Sequence, residues 1–126
     1  MKIMVVDDEK DMKLLFEQRF RKEIKSGKLA FLFAFSGEEA KDYIEKNGTE
    51  NLNQILSDIN MPGMNGLELL KWIKDNYPNL KVAMITAYGD QNNYKQALEY
   101  GCDDYMTKPI DFMQLKQKVM PTDSDK

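Results

Sequence analysis

The sequence predicts an α/β domain built around a five-stranded parallel sheet. Five short apolar runs are separated by segments in which apolar residues recur at helical spacing, and the connections are only a few residues long. This alternation is typical of βα units around a parallel sheet. A chain of 126 residues, 42% hydrophobic and 31% charged, has the size and composition of one globular domain.

The amino-terminal region is predicted to form a strand, a helix and a second strand. Residues 2–6 are apolar without polar alternation, which indicates a strand buried on both faces. Residues 29–35 have the same character, so we expect a second buried strand there. Between them we expect one amphipathic helix that starts near Glu9 and stops at Gly27. Its apolar residues recur at helical spacing: Met12, Leu15, Phe16, Phe20 and Ile24.

The middle of the chain contains a helix, a third strand and a further helix. Ser36 with Glu39 three residues later is typical of a capping box, and predicts a helix that runs to Gly48. Residues 54–57 are short and apolar and end at Asp58. After a turn-rich segment, a helix follows that stops before Pro78, because proline disfavours helical backbone at the preceding residue.

The carboxyl-terminal region completes the alternation with two strands and two helices. The predicted elements are a strand, a helix, a strand and a helix at 80–85, 90–100, 104–107 and 110–119. The first of these helices is poor in apolar residues and rich in side-chain amides. We expect the domain to cover residues 1–120, followed by a polar tail or the start of a linker at 121–126.

Composition excludes several classes of function. The chain has no histidine, which excludes Ser-His and Cys-His catalytic pairs, His-ligated zinc and phosphohistidine carriers. Its single cysteine, Cys102, cannot form an internal disulfide. A net charge of −3 argues against direct nucleic-acid binding. The chain has no apolar run near the roughly 20 residues of a membrane span and no secretory signal, so we expect a cytoplasmic protein without membrane association.

Polar side chains follow four of the predicted strands. Asp7 and Asp8 follow the first, Asp58 the third, Thr86 the fourth and Lys108 the fifth. In an open parallel sheet the carboxyl ends of the strands meet at one edge, which is where ligands bind.

Such a cluster calls for a compensating cation. Carboxylates about 5 Å apart repel by roughly 3 kcal/mol per pair at an effective dielectric constant near 20, and Lys108 offsets only part of this. A hard divalent ion with few protein ligands, Mg²⁺ rather than Ca²⁺, fits these oxygens. A magnesium ion beside carboxylates then suggests phosphoryl transfer, with Asp58 as the nucleophile.

The ordered motifs resemble the receiver domain of two-component response regulators. They are Asp7-Asp8, the block from Asp58 to Gly66 (DINMPGMNG), Thr86-Ala87, and the block from Asp104 to Pro109 (DYMTKP). The resemblance covers residues from about 2 to 119. It implies a flavodoxin-like (βα)5 three-layer sandwich with strand order 2-1-3-4-5.

The resemblance also implies a metal-dependent phosphoacceptor. Asp58 would accept the phosphoryl group, and Asp8, Asp58 and the backbone carbonyl of Asn60 would ligate Mg²⁺, with Mn²⁺ as a substitute. Asp7 would act through a metal-bound water.

Further roles follow from the same resemblance. Lys108 would pair with the phosphoryl oxygens, and the Lys108-Pro109 peptide bond would be cis. Thr86 would turn its hydroxyl toward the phosphoryl group while Tyr105 moves inward, which makes these two the switch residues. Asn60 and Tyr88 would tune the rate of dephosphorylation, because both flank the path of the attacking water.

The implied function is a phosphorylation-activated signalling switch. Its phosphoryl donor would be a histidine kinase or a histidine phosphotransfer protein, and it would catalyse its own modification without turning over an external substrate. Its output partner or effector domain is not identified by the sequence, and a phosphorylation-dependent homodimer is compatible with it. The resemblance places the partner-binding face at the fourth helix, fifth strand and last helix, where we expect Tyr88, Tyr94 and Tyr105 as contacts.

Two alternatives remain open at this point. A phosphorylation-independent adaptor would keep the fold as an interaction surface only. A haloacid-dehalogenase-type phosphatase also uses an aspartyl phosphate, Mg²⁺, threonine and lysine. It usually has a second acid two residues after the nucleophile, where this chain has Asn60.

Overall fold

The computed structural model describes residues 1–87 and 91–120. Tyr88 and the segment 121–126 lie outside the described residues. The strands are β1 (Lys2–Val6), β2 (Ala30–Ala34), β3 (Gln54–Asp58), β4 (Lys81–Thr86) and β5 (Asp104–Thr107). The helices are α1 (Asp11–Arg19), α2 (Arg21–Lys25), α3 (Gly37–Asn47), α4 (Gly66–Asn76), α5 (Gln91–Glu99) and α6 (Phe112–Val119).

All five strands form one parallel sheet in the order β2-β1-β3-β4-β5, which confirms the predicted topology. The register aligns the carboxyl ends of the strands: Val6 lies opposite Ser57, Asp58 opposite Ile85, and Thr86 opposite Thr107. Polar residues that follow neighbouring strands therefore emerge at one edge of the sheet.

The sheet separates two hydrophobic cores, so the domain has three layers. On one face Met4 and Val6 pack with buried residues of α3, α4 and α5. On the other face Ile3 and Val5 pack with buried residues from α1 and α6. Alternate residues of β1 point to opposite faces, and both faces are covered, which explains why the strand is apolar throughout.

The helix predicted from Glu9 to Gly27 is interrupted at Phe20. The backbone there has φ −108° and ψ 22°, which separates α1 from α2 and gives six helices along the described chain. The Phe20 ring is fully buried, 5.1 Å from Phe31 and 6.3 Å from Phe112 between ring centroids. Helical spacing alone could not locate this bend, because Phe20 and Ile24 still point to the core.

The prediction that 29–35 forms a fully buried strand was wrong for its middle. β2 is an edge strand that pairs only with β1, so Phe31, Leu32 and Phe33 are only partly buried. Ser36 does cap α3, accepting a hydrogen bond from the Glu39 backbone N–H at 2.9 Å. A reciprocal capping box forms at α4, between Asn65 and Glu68. None of the helices within the described residues is long and apolar enough to cross a membrane.

Candidate functional site

The carboxyl edge of the sheet brings three carboxylates together. Asp7 follows β1 and is 6% exposed, Asp58 ends β3 and is 5% exposed, and Asp8 is exposed. One carboxylate oxygen from each lies within 4.8 Å of those of the other two. The sequence prediction that these residues meet at this edge agrees with this geometry.

Main-chain hydrogen bonds extend the sheet past its strands and fix the two buried aspartates. The Asp7 N–H donates to the Ala34 carbonyl at 3.0 Å, and the Ile59 N–H donates to the Ile85 carbonyl at 3.1 Å. The Asp7 side chain also accepts the Glu9 N–H at 2.9 Å. The carboxylates are thus placed by backbone geometry, with little freedom to move apart.

Lys108 is the cation of the cluster. Its Nζ lies 3.2 Å from Asp58 Oδ2, 3.4 Å from Asp7 Oδ2 and 3.7 Å from Glu9 Oε1. The Lys108 N–H donates to the Thr86 carbonyl at 2.8 Å, and the Lys108-Pro109 peptide bond is cis, as the resemblance implies. Sequence reasoning missed Glu9, because its approach to Lys108 depends on the turn after β1.

Burial sets the protonation behaviour of the site. Desolvation raises the pKa of Asp58, although Lys108 and the backbone N–H groups of Asn60 and Ile59 lower it in part. Desolvation also raises the pKa of Asp7, to which repulsion by Asp58 adds. Burial alone would lower the pKa of Lys108, but attraction to Asp58 and Asp7 outweighs it and raises the pKa. Desolvation, and not the nearby ammonium group, therefore sets the direction in which the pKa of both buried aspartates moves.

The donor set fits a hard divalent cation. Three carboxylates converge with one lysine, which leaves excess negative charge and free oxygen lone pairs, the chemistry that Mg²⁺ prefers. The Asn60 backbone N–H approaches the Asp58 carboxylate. Ligation by the Asn60 carbonyl stays a prediction, as does the water-mediated role of Asp7.

Thr86 is a fully buried residue with an unsatisfied hydroxyl. It ends β4 and is 0% exposed, and its Oγ1 has no hydrogen-bond partner among the residues that the structure describes. An unsatisfied buried hydroxyl costs about 1–3 kcal/mol. A new acceptor at this edge of the sheet would recover that cost.

Two of the predicted partner-face tyrosines contact each other. The rings of Tyr94 in α5 and Tyr105 in β5 lie 4.7 Å apart in an edge-to-face arrangement. Tyr94 is 43% exposed and Tyr105 is partly buried. The third member of the predicted face, Tyr88, lies outside the described residues.

The start of α4 packs directly on the end of β3. A Cβ atom at Gly66 would collide with the backbone oxygen of Asp58 and crowd the Ile59 Cα. The Gly66 N–H also donates to the Ile59 carbonyl at 2.8 Å. Only glycine permits this approach, and sequence reasoning assigned no such role to Gly66.

Comparisons with known proteins agree with this geometry. A family model described as "Response regulator receiver domain" matches residues 3–120. The chain is 38% identical to the DNA-binding transcriptional regulator NtrC of Proteus hauseri, a match covering 86% of this chain and 22% of that protein. It is 33% identical to sporulation initiation phosphotransferase F of Bacillus subtilis, covering 94% of this chain and 90% of that protein.

A solved structure shares the fold. The crystal structure of a response regulator receiver domain protein from Clostridium thermocellum superposes with a TM-score of 0.82 at 25% identity, covering 94% of this chain and 90% of that one. The chain thus spans about a quarter or less of the length of the first curated regulators that it matches. It spans nearly the whole length of shorter relatives such as sporulation initiation phosphotransferase F.

Proposed function

The chain belongs to the response regulator receiver domain family, whose members are phosphorylation-driven switches of two-component systems, and we propose that Asp58 is the residue phosphorylated here. One observation carries this proposal. Asp58 is a buried carboxylate at a strand end, 3.2 Å from Lys108, and one oxygen each of Asp7 and Asp8 lies within 4.8 Å of it.

The proposed reaction is transfer of a phosphoryl group to Asp58. One of its carboxylate oxygens attacks the phosphorus of a phosphohistidine, and a P–O bond forms as the P–N bond breaks. The electron pair of the broken bond stays on the imidazole nitrogen, which takes a proton from solvent. The product is an acyl phosphate. Asp58 reacts as the carboxylate, and Lys108 stabilises that form by attraction across 3.2 Å.

Lys108 and Thr86 supply donors to the phosphoryl oxygens in this proposal. The Lys108 ammonium group already lies next to Asp7 and Asp58, so it can donate to a phosphoryl group on Asp58 with only a small movement. The unsatisfied Thr86 hydroxyl gains an acceptor. We propose Asp8, Asp58 and the Asn60 carbonyl as ligands for Mg²⁺ or Mn²⁺, with Asp7 acting through water; when bound, the ion would neutralise charge on the phosphoryl group.

Partner binding is proposed to follow from movement at Thr86. Thr86 lies opposite Thr107 in the sheet, and Tyr105 of the same strand contacts Tyr94 of α5. A shift of the Thr86 side chain would therefore reach the face that holds Tyr94 and Tyr105. The proposed phosphodonor is a histidine kinase or phosphotransfer protein, and the proposed output is a change at this face, with no turnover of an external substrate.

Intact-mass spectrometry after incubation with acetyl phosphate and Mg²⁺ tests the proposal. We expect a single phosphoryl adduct on the wild type, lost in Asp58→Asn and in excess EDTA. Asp75→Asn is the matched control, because Asp75 is an exposed aspartate that pairs with Lys71 on α4, and it should label like the wild type. A folded wild type that acetyl phosphate and phosphorylated histidine kinases all fail to label would refute the proposal and favour an adaptor.

A further inference from the structure

The loop between β3 and α4, residues 59–65, carries the proposed main-chain metal ligand at Asn60. Backbone hydrogen bonds fix both ends of this loop. The Ile59 N–H donates to the Ile85 carbonyl, and the Gly66 N–H donates to the Ile59 carbonyl. The capping box of Asn65 and Glu68 adds to the second anchor.

Glu38, in the first turn of α3, contacts this loop near its carboxyl-terminal end, at Met64. Its Oε2 accepts the Met64 backbone N–H at 2.8 Å, between residues that are 26 positions apart in the sequence. That hydrogen bond lowers the pKa of the Glu38 carboxyl, which therefore carries full negative charge at neutral pH. A charged acceptor makes a stronger hydrogen bond than a neutral one.

The backbone around this bond is shaped for close approach. Gly63 has φ +73°, and a Cβ atom there would collide with Glu38 Oε2. On the α3 side, a Cβ atom at Gly37 would lie 2.7 Å from the Met64 backbone oxygen. Glycines on both sides of the contact thus let the first turn of α3 lie directly against the loop.

We propose that Glu38 is a positioning residue for the phosphorylation site. It holds the 59–65 loop through Met64, and so keeps the Asn60 carbonyl where it can complete the cation site next to Asp58. This role rests on the proposed function of Asp58, but it adds a residue of α3, which otherwise contributes no side chain to the site.

Three variants separate this role from a general effect of charge. Glu38→Ala removes the acceptor, and Glu38→Gln keeps an acceptor oxygen without the charge. Glu39→Ala is the matched control, because Glu39 is the neighbouring exposed glutamate in the same turn. Its bond to Ser36 comes from the backbone N–H, which the substitution keeps. Glu38→Ala and Glu39→Ala remove the same charge from the same helix terminus, so they differ in the bond to the loop.

Two readouts are measured for each variant. Hydrogen exchange of the peptide containing Met64 reports the loop directly in EDTA. A titration of the melting temperature with Mg²⁺ reports cation affinity. We expect Glu38→Ala to speed hydrogen exchange at Met64. We also expect it to weaken Mg²⁺ affinity by about three- to tenfold, which is no more than the loss usually seen when a residue that supports a metal ligand is removed. Glu38→Gln should recover most of both effects, and Glu39→Ala should match the wild type.

The outcomes distinguish this inference from the proposed function. If Glu38→Ala and Glu39→Ala behave alike, or if Glu38→Gln is as impaired as Glu38→Ala, Glu38 does not act through the loop bond and the inference is refuted. If the wild type itself shows no Mg²⁺-dependent stabilisation and is labelled neither by acetyl phosphate nor by phosphorylated histidine kinases, the proposed function is refuted whatever the three variants do. Because Glu38 is exposed, all three variants are expected to fold.

Discussion

Replacing Asp58 with asparagine is expected to stabilise the protein when no divalent cation is present. Burial raises the pKa of Asp58, which means that the folded environment disfavours the charged carboxylate despite Lys108. A neutral side chain of the same shape removes that penalty. Lys108 keeps its contact with Asp7 at 3.4 Å, so the substitution does not leave the ammonium unpaired.

The magnitude follows from opposing contributions. At an effective dielectric constant near 20, attraction between Asp58 and Lys108 across 3.2 Å is roughly 5 kcal/mol. Repulsion between Asp58 and Asp7, whose oxygens are no more than 4.8 Å apart, is at least roughly 3.5 kcal/mol. These two pairs leave at most about 1.5 kcal/mol in favour of the charge, from which repulsion by Asp8 must still be subtracted. Desolvation, the largest cause of the raised pKa of Asp58, exceeds what remains. We therefore expect Asp58→Asn to stabilise the protein, with a gain on the order of 1 kcal/mol, which corresponds to roughly 4 °C in melting temperature.

The pH dependence has a definite sign. An acid whose folded pKa is raised binds more protons when folded than when unfolded. It therefore costs stability as the pH rises from its ordinary value of 3.8 through the folded value. The advantage of Asp58→Asn should thus be full at pH 7 and should shrink toward pH 4.

Thermal melts in EDTA at several pH values test this reasoning, with Asp75→Asn as the exposed control. Saturating Mg²⁺ should stabilise the wild type more than the variant and so narrow the gap between them. An Asp58→Asn protein that melts below the wild type in EDTA at pH 7 would show that attraction to Lys108 outweighs desolvation, and the electrostatic account of the site would be wrong.

Three further predictions concern neighbouring positions. Thr86→Val should raise stability in urea melts by about 1 kcal/mol, because it replaces an unsatisfied buried hydroxyl with a methyl group; a loss of stability would mean that the hydroxyl has a partner. Gly66→Ala should cost about 2 kcal/mol or more in the same melts and slow acetyl phosphate labelling, because its Cβ displaces the Asp58 backbone. Gly27→Ala is the control for replacing a glycine as such, because Gly27 has φ +79° and an added Cβ there has no atom within 4 Å. It should leave labelling unchanged. Tyr88→Ala should speed decay of the phosphorylated form measured by mass spectrometry, because a bulky aromatic side chain at this position of the sequence is expected to screen the attacking water; an unchanged or slower decay would contradict this.

The strands and the site were predictable because both depend on local sequence. Each central strand is buried on both faces, so its apolar run ends abruptly where the chain leaves the core, and the next residue faces solvent or the site. Asp7 and Asp58 are the residues at which these apolar runs change to a charged side chain. Their meeting then follows from the parallel register alone.

Other features depend on contacts between distant segments. The bend at Phe20 is compatible with the same helical spacing on either side, so periodicity could not reveal it. The partial exposure of β2 depends on its being an edge strand, which is a property of the whole sheet. Glu38 was indistinguishable from any acidic residue in a first helical turn, because its partner Met64 lies 26 residues away.

The energetics of the site also limit how Thr86 can contribute to switching. Moving a two-state equilibrium from 1:99 to 99:1 takes about 5.5 kcal/mol. Satisfying the Thr86 hydroxyl supplies about 1–3 kcal/mol, which is too little alone. A charge-assisted bond from Lys108 adds about 1.5–3 kcal/mol, reduced by the contacts with Asp7 and Asp58 that it already has. Because neither donor reaches the full amount, Thr86→Val should retain a partial response to phosphorylation. Hydrogen exchange of α5 with and without acetyl phosphate measures that response, and its complete loss would mean that Thr86 alone couples Asp58 to the face of Tyr94 and Tyr105.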